Sequence, residues 1–128
     1  ERFALPYEQR IFAAVHEAGA LTRLHICGNT SRLIPLMARS GADIVDLDWM
    51  VDMRKAAKTL GEATPLCGNF DPVAIMLQGD PETVAQATVD CLISGGPRTI
   101  SGAGCEIVDG TPHENLRAQV QALKGFYG

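Results

Sequence analysis

Short apolar stretches alternate with longer amphipathic ones along the chain, and this pattern predicts strands and helices in turn. Apolar residues at helical spacing predict a first helix over residues 7–18. Four short apolar or alternating runs predict strands at 22–27, 43–48, 64–68 and 98–101, each followed by a helix. The apolar stripes of these helices are Ile11, Phe12 and Val15; Leu33, Ile34 and Met37; Met53, Ala56, Ala57 and Leu60; Val84, Thr88, Cys91 and Leu92; and Leu116, Val120 and Leu123.

Polar residues in front of several stretches predict where helices begin. Asp71 and Asp80 are each followed by proline, the pattern of an N-cap with proline in the first turn. Asn29 or Thr30 is the predicted cap of the helix that follows the first strand. The segment 111–114, Thr-Pro-His-Glu, has the spacing of a capping box.

Strands that alternate with helices predict parallel βα units. Two folds fit: a small doubly wound sheet, or part of a (β/α)8 barrel. A barrel takes about 250 residues, so this chain of 128 residues with four units would be half of one, with two open edges. The chain begins with Glu1, which suggests that natural residues precede it. Either they complete the barrel, or two copies pair as a homodimer through the open edges.

Composition and charge narrow the function classes. The chain is 46% hydrophobic and 20% charged, which is typical of a packed globular protein. Its net charge is −4 and its eleven basic residues are scattered, which argues against nucleic-acid binding. We see no long apolar run and no signal-peptide pattern, so we expect a cytoplasmic protein without membrane contact, whose four cysteines are reduced.

The clearest candidate chemistry lies at the end of the first predicted strand. Side chains alternate across a strand, so His25 and Cys27 share one face and the intervening aliphatics the other. In a barrel that face is the interior, at the carboxyl end of the strand where such enzymes keep their active sites. Catalytic zinc takes three protein ligands. Cys105, in a glycine-rich loop after the fourth strand, is the best third candidate, and Cys67 is its rival; Cys91 is predicted to be inert core.

Other polar residues are assigned from the same alternation. Asp46 and Asp48 share one face of the second strand, and Asp48 near the mouth is the predicted catalytic residue, orienting substrate or a metal ligand. Thr99 and Ser101 are predicted to line the same interior. Structural or solvent-exposed positions are expected for His16, His113 and Trp49.

Four motifs carry a resemblance to a known family: HICGN at 25–29, DLDW at 46–49, GNFDP at 68–72 and GAGCEIVDGTPHENL at 102–116. In this order they resemble the C-terminal half of the uroporphyrinogen decarboxylase superfamily, and within it the zinc-dependent methylcobalamin:thiol methyltransferases. The resemblance implies a (β/α)8 TIM-barrel fold, with residues 1–128 supplying about the last four βα units.

The resemblance also implies a site and a reaction. It implies zinc ligands at His25, Cys27 and Cys105, and leaves Cys67 outside the metal site. The implied reaction moves a methyl group from a corrinoid (methylcobalamin) on a partner protein to a small-molecule thiol activated on Zn²⁺. Two alternatives remain: a metal-free, decarboxylase-like enzyme with inert cysteines, and a non-catalytic half-barrel module that binds a partner chain.

Overall fold

Four parallel strands and their connecting helices make up the computed structural model, which describes residues 1–61 and 63–128. The elements are α1 (Leu5–Glu17), β1 (Arg23–Ile26), α2 (Ile34–Met37), β2 (Ile44–Leu47), α3 (Met53–Leu60), β3 (Leu66–Phe70), a π-helix (Pro72–Leu77), α4 (Pro81–Gly95), β4 (Ile100–Ala103) and α5 (His113–Tyr127). The strands lie side by side in chain order. A doubly wound sheet reverses its order at a switch point, so this consecutive order is that of a barrel segment.

Two strands begin two residues later than the sequence predicts. The prediction placed β3 at 64–68 and β4 at 98–101, whereas they span Leu66–Phe70 and Ile100–Ala103. Pro65 has no N–H to donate, so pairing in β3 starts after it, although its carbonyl accepts from Val45. The Thr99 N–H is used in a turn to the Gly96 carbonyl, which delays β4.

Two of the four predicted helix starts are confirmed. The Asp71 side chain accepts from the N–H groups of Val73 and Ala74, and Asp80 accepts from that of Thr83. The cap at Asn29 or Thr30 is wrong, because α2 begins only at Ile34 and the Asn29 side chain accepts from Ser31 in a local turn.

The capping box at 111–114 is also wrong. The Thr111 hydroxyl donates to the Val108 carbonyl and makes no bond to the helix, and α5 has no side-chain cap. When a threonine hydroxyl hydrogen-bonds to a carbonyl that precedes it in the chain, it is not available to cap the helix that follows.

The residues that α4 buries are those of its predicted apolar stripe, whereas the residues that α5 buries are not. All four predicted α4 residues, Val84, Thr88, Cys91 and Leu92, are buried. In α5 the buried residues are Asn115 and Ala118, whereas Leu116 and Val120 are 36% and 50% exposed. The Asn115 amide donates to the carbonyls of Met76 and Gly79, and this polar anchor sets the rotation of the helix. Ile11 and Leu33 of the other predicted stripes are exposed as well.

The sheet register sorts side chains onto two faces. Leu24, Val45 and Leu66 lie in one row and belong to the core under the helices. The adjacent row, His25, Asp46, Cys67 and Ile100, lies on the opposite face.

The prediction that Thr99 and Ser101 line the interior is wrong for Thr99, whereas Ser101 is among the residues that line the cavity on that face. Ile100 occupies the row with Cys67, so its neighbour Thr99 turns towards the helices. A Cβ added at Gly95 of α4 would lie 2.3 Å from the Thr99 hydroxyl, which places Thr99 against that helix.

Among the described residues, no helix combines the length and the apolar character that crossing a bilayer requires.

Candidate metal centre

The candidate centre is built at the carboxyl end of β1 and completed by the segment after β4. His25 is half-buried within β1, and Cys27 follows the strand with an exposed side chain. The buried Leu24 alternates onto the opposite, core face. Cys105, half-buried, approaches from the loop after β4.

Three soft donor atoms meet there. The Cys27 Sγ lies 3.3 Å from the Nε2 of His25 and 3.8 Å from the Sγ of Cys105. All three donor atoms lie within 4.8 Å of one another. The structure therefore brings together His25, Cys27 and Cys105, although His25 and Cys105 are 80 positions apart in sequence. Cys67 lies outside this group.

The spacing of these atoms fits a tetrahedral metal ion. Zinc bonds of about 2.3 Å to sulfur and about 2.0 Å to nitrogen imply separations of about 3.8 Å between sulfurs and about 3.5 Å between sulfur and nitrogen. The observed 3.8 Å and 3.3 Å are close to these values. A disulfide would need the sulfurs at about 2.05 Å, and both cysteines are free.

Gly104 lets the Cys105 loop approach this closely. A Cβ at position 104 would lie 2.1 Å from the backbone nitrogen of Trp49, so the two loops touch backbone to backbone. The N–H of Gly104 also donates to the Phe70 carbonyl at 2.8 Å, which extends the β3–β4 ladder up to the loop. Cys105 is thus positioned by the sheet and by the loop after β2.

The two thiols of the centre interact directly. The hydrogen bond between Cys27 and Cys105, followed by the charge of Cys105, raises the pKa of the Cys27 thiol above its ordinary value. The metal-free site therefore favours the protonated thiol at Cys27, and a bound cation would favour the thiolate.

Asp48 holds the loop that leaves Cys27. Its buried carboxylate accepts from the N–H of Gly28 at 2.8 Å and from that of Met50 at 2.9 Å. One carboxylate thus ties the residue next to Cys27 to the β2–α3 loop. Both oxygens of the Asp48 carboxylate are used in these two bonds.

Asp46 lies beside His25 on the neighbouring strand. Its Oδ2 is 3.3 Å from His25 Nδ1 and 3.4 Å from Arg23 Nε. Sequence reasoning named Asp46 without a partner and missed Arg23. The signal was available, because Arg23 is two residues before His25 and therefore shares its face.

A cavity of about 480 Å³ opens in front of the centre, lined among others by Arg23, His25, Cys27, Asp46, Cys67 and Cys105. Cys67 lies deeper, buried, and desolvation together with the nearby Asp46 charge raises the pKa of its thiol to about 11. A neutral thiol of this kind is an apolar wall of the cavity.

The remaining predicted positions lie away from the centre. Cys91 is core, as predicted, and accepts from the N–H of Asn69 at 3.0 Å. His113 is exposed, as predicted. Trp49 is 46% exposed and takes no part in the donor cluster.

His16 is engaged at the other end of the sheet. Its Nε2 lies 2.8 Å from Asp43 Oδ2, an oxygen that also accepts from the N–H and hydroxyl of Thr22. The Thr22 N–H and the His16 side chain, in that order, lower the pKa of Asp43 to about 2. This cluster joins α1 to β1 and β2.

Comparison with known proteins gives one family and two kinds of enzyme. The family model described as uroporphyrinogen decarboxylase (URO-D) matches residues 1–126. The chain is 39% identical over 127 residues to the methylcobamide:CoM methyltransferase MtbA of Methanosarcina mazei, covering 98% of this chain and 36% of that protein. It is 37% identical over 127 residues to a uroporphyrinogen decarboxylase of Prochlorococcus marinus, covering 97% and 35%.

A solved structure has the same fold. A methyltransferase from Methanosarcina mazei superposes with a TM-score of 0.87 at 26% sequence identity, covering 99% of this chain and 36% of that chain. The chain thus spans about a third of the length of the relatives it matches.

Proposed function

The chain belongs to the uroporphyrinogen decarboxylase family, and we propose that it carries the zinc site of a methyltransferase that moves a methyl group from a corrinoid to a thiol. The observation that carries this proposal is the cluster of His25 Nε2, Cys27 Sγ and Cys105 Sγ within 4.8 Å. Two thiolates and one neutral imidazole match the donor set and charge that zinc takes in catalytic sites.

Each residue of the centre has a proposed part. His25, Cys27 and Cys105 would hold the metal and leave its fourth position facing the cavity. Asp48 keeps Cys27 in place through the N–H of Gly28. Bound zinc would supply a Lewis-acidic centre that favours the thiolate form of an incoming thiol at neutral pH.

The overall reaction is balanced by loss of a proton. The thiol sulfur forms a bond to the methyl carbon, the cobalt–carbon bond breaks with its electron pair remaining on cobalt, and the thiol proton goes to solvent. The protein's contribution is to hold the sulfur in line with the methyl group and to exclude competing water. The cavity wall of Cys67, a neutral buried thiol, is suited to the second task.

The partners follow from this reaction. We propose a small-molecule thiol as acceptor and a corrinoid protein as donor, in the cytoplasm. Homodimer formation through the sheet edges stays a prediction, which light scattering over a dilution series tests: a stable monomer at low micromolar concentration contradicts it.

A metal-free decarboxylase is the second candidate, favoured by the 37% identical decarboxylase relative. Metal content and substrate choice separate the two. The methyltransferase proposal expects one zinc per chain and transfer of methyl from methylcobalamin to a thiol in the full protein. Absence of zinc together with turnover of uroporphyrinogen would replace it with the second candidate.

Elemental analysis of two variants gives the sharpest test. Cys27→Ala combined with Cys105→Ala should abolish zinc binding, because two of three donors are removed. Cys91→Ala, in a buried cysteine that belongs to the core, is the matched control and should retain the metal. Zinc retained in the double variant would rule out the assigned ligands.

A further inference from the structure

Asp46 is a buried carboxylate that the proposed chemistry does not yet use. Its side chain is 9% exposed, whereas that of its neighbour Arg23 is 60% exposed. Burying a carboxylate is costly unless it is paired. The register explains the placement, because Asp46 of β2 is the direct partner of His25 in β1.

The two ring nitrogens of His25 face different groups. Nε2 lies 3.3 Å from the Cys27 sulfur, at the centre, and Nδ1 lies 3.3 Å from Asp46 Oδ2. Nδ1 is buried, and no atom of the described residues is aligned to hydrogen-bond with it. Buried polar nitrogens without a hydrogen-bond partner are rare in proteins, and the Asp46 carboxylate is an acceptor close to this one.

From this geometry we infer that Asp46 is a positioning residue, which holds the proton of His25 on Nδ1 and so presents the lone pair of Nε2 to the metal. The inference rests on the proposed zinc site. A neutral imidazole carries one proton, and a carboxylate beside Nδ1 fixes it there. Arg23 Nε, 3.4 Å from the same oxygen, keeps that carboxylate turned towards β1.

The chain contains a natural control at the opposite end of the sheet. Asp43 also pairs with a histidine, His16, at 2.8 Å, but His16 is not one of the three donors of the candidate metal centre. Asp43 immediately precedes β2 and Asp46 lies within it, three residues later. Removing either should weaken the fold, and only removal of Asp46 should weaken metal binding.

Zinc affinity is the first readout, measured by chelator competition on the full protein. Loss of a carboxylate that supports a metal-bound histidine typically costs 10–100-fold in affinity. We expect a loss of about that size for Asp46→Leu, which removes the acceptor, and a smaller loss for Asp46→Asn, which keeps an acceptor oxygen. Asp43→Asn should bind zinc as the parent protein does.

The histidine tautomer is the second readout and needs no metal. In zinc-free protein at about pH 8, where an ordinary imidazole is neutral, nitrogen-15 spectra distinguish a proton on Nδ1 from one on Nε2. The parent protein should show His25 protonated on Nδ1. Asp46→Leu should shift it towards the mixture of free imidazole, while the His16 signals stay unchanged.

The outcomes separate the two proposals. Parent-like zinc affinity and tautomer in Asp46→Leu, with zinc lost in Cys27→Ala, would overturn the role of Asp46 and leave the zinc site standing. A parent protein that binds no zinc would contradict the proposed function; the tautomer shift would then decide Asp46 alone.

Discussion

The segments Ile26–Asn29 and Leu66–Asn69 share the sequence aliphatic-Cys-Gly-Asn, yet their environments are opposite: the first leads out of β1 and the second lies within β3. Cys27 is exposed and touches His25 and Cys105. Cys67 is buried, and its thiol pKa is raised to about 11.

The flanking residues differ in the same way. Gly28 has open space around a would-be Cβ, whereas a Cβ at Gly68 would lie 2.7 Å from the Leu47 carbonyl oxygen. Asn29 is exposed, and Asn69 is buried with its amide bonded to two carbonyls. The difference follows the sheet: β3 has neighbours on both sides, and β1 within the described residues has one. Identical side chains thus belong to an exposed donor cluster at one position and to the core at the other.

The largest expected effect is on metal binding. Cys27→Ala should lower zinc affinity by more than the ~100-fold that loss of a supporting residue costs, because it removes a ligand itself. Cys67→Ala should change it by less than a factor of about 3, since Cys67 lies outside the donor cluster. Chelator competition on both variants measures the contrast, and equal losses would erase the distinction between the two cysteines.

Next in size is the pair of glycines. Gly68→Ala should lower the free energy of unfolding by about 2–4 kcal/mol, because positive-φ strain adds to overlap with a backbone oxygen. Gly28→Ala meets no atom, so only the strain at φ +86° remains, about 1 kcal/mol. Denaturant unfolding measures both. A costlier change at Gly28 would show that its loop is packed more tightly than described.

The two asparagines should differ by a smaller amount. Asn69→Ala removes bonds to the carbonyls of Asp48 and Val51 and should cost about 1–3 kcal/mol. Asn29→Ala removes an exposed local turn bond and should stay within about 0.5 kcal/mol. Thermal unfolding compares the variants; similar melting temperatures would mean that the Asn69 clamp is dispensable.

The smallest effect concerns pH. The pKa of the Cys67 thiol is about 11 in the folded protein, whereas its ordinary value, which applies to the unfolded chain, is 9.0. Between pH 9 and 11 the folded state binds more protons than the unfolded state. The stabilisation from this thiol is therefore present in full well below pH 9 and is lost as the pH rises towards 11. The part of this stabilisation that is lost by pH 9 amounts to less than about 1 kcal/mol. Unfolding at pH 7 and 9 should show a smaller decline for Cys67→Ala than for the parent, and an equal decline would assign the effect to other groups.

Sequence patterns predicted the alternation of elements and the pairing of His25 with Cys27 because both depend on local spacing, whereas the choice of Cys105 over Cys67 came from the family resemblance. His25 and Cys27 are two residues apart, and strand alternation places them on one face without further information. The α4 stripe was predictable for a similar reason, since that helix is amphipathic and buried. The rotation of α5 was not, because Asn115 binds carbonyls near residue 76 that no helical pattern encodes.

The strand shifts and the supporting charges also needed the structure. Thr99 lies outside β4, because its N–H is used in a turn to the Gly96 carbonyl, and it packs against α4 instead. The pairing of Asp46 with His25 depends on register between two strands, which spacing within either strand leaves open.

The backbone contact between Gly104 and Trp49 links the centre to the order in which the chain folds. Cys105 is separated from Cys27 by 78 positions in sequence, and its loop rests on both the β2 loop and the β3–β4 ladder. Contacts of such long sequence separation close late in folding. A metal ion that requires all three donors would therefore be captured at high affinity only by chains whose four strands have already docked, so metal uptake would act as a kinetic marker of completed assembly.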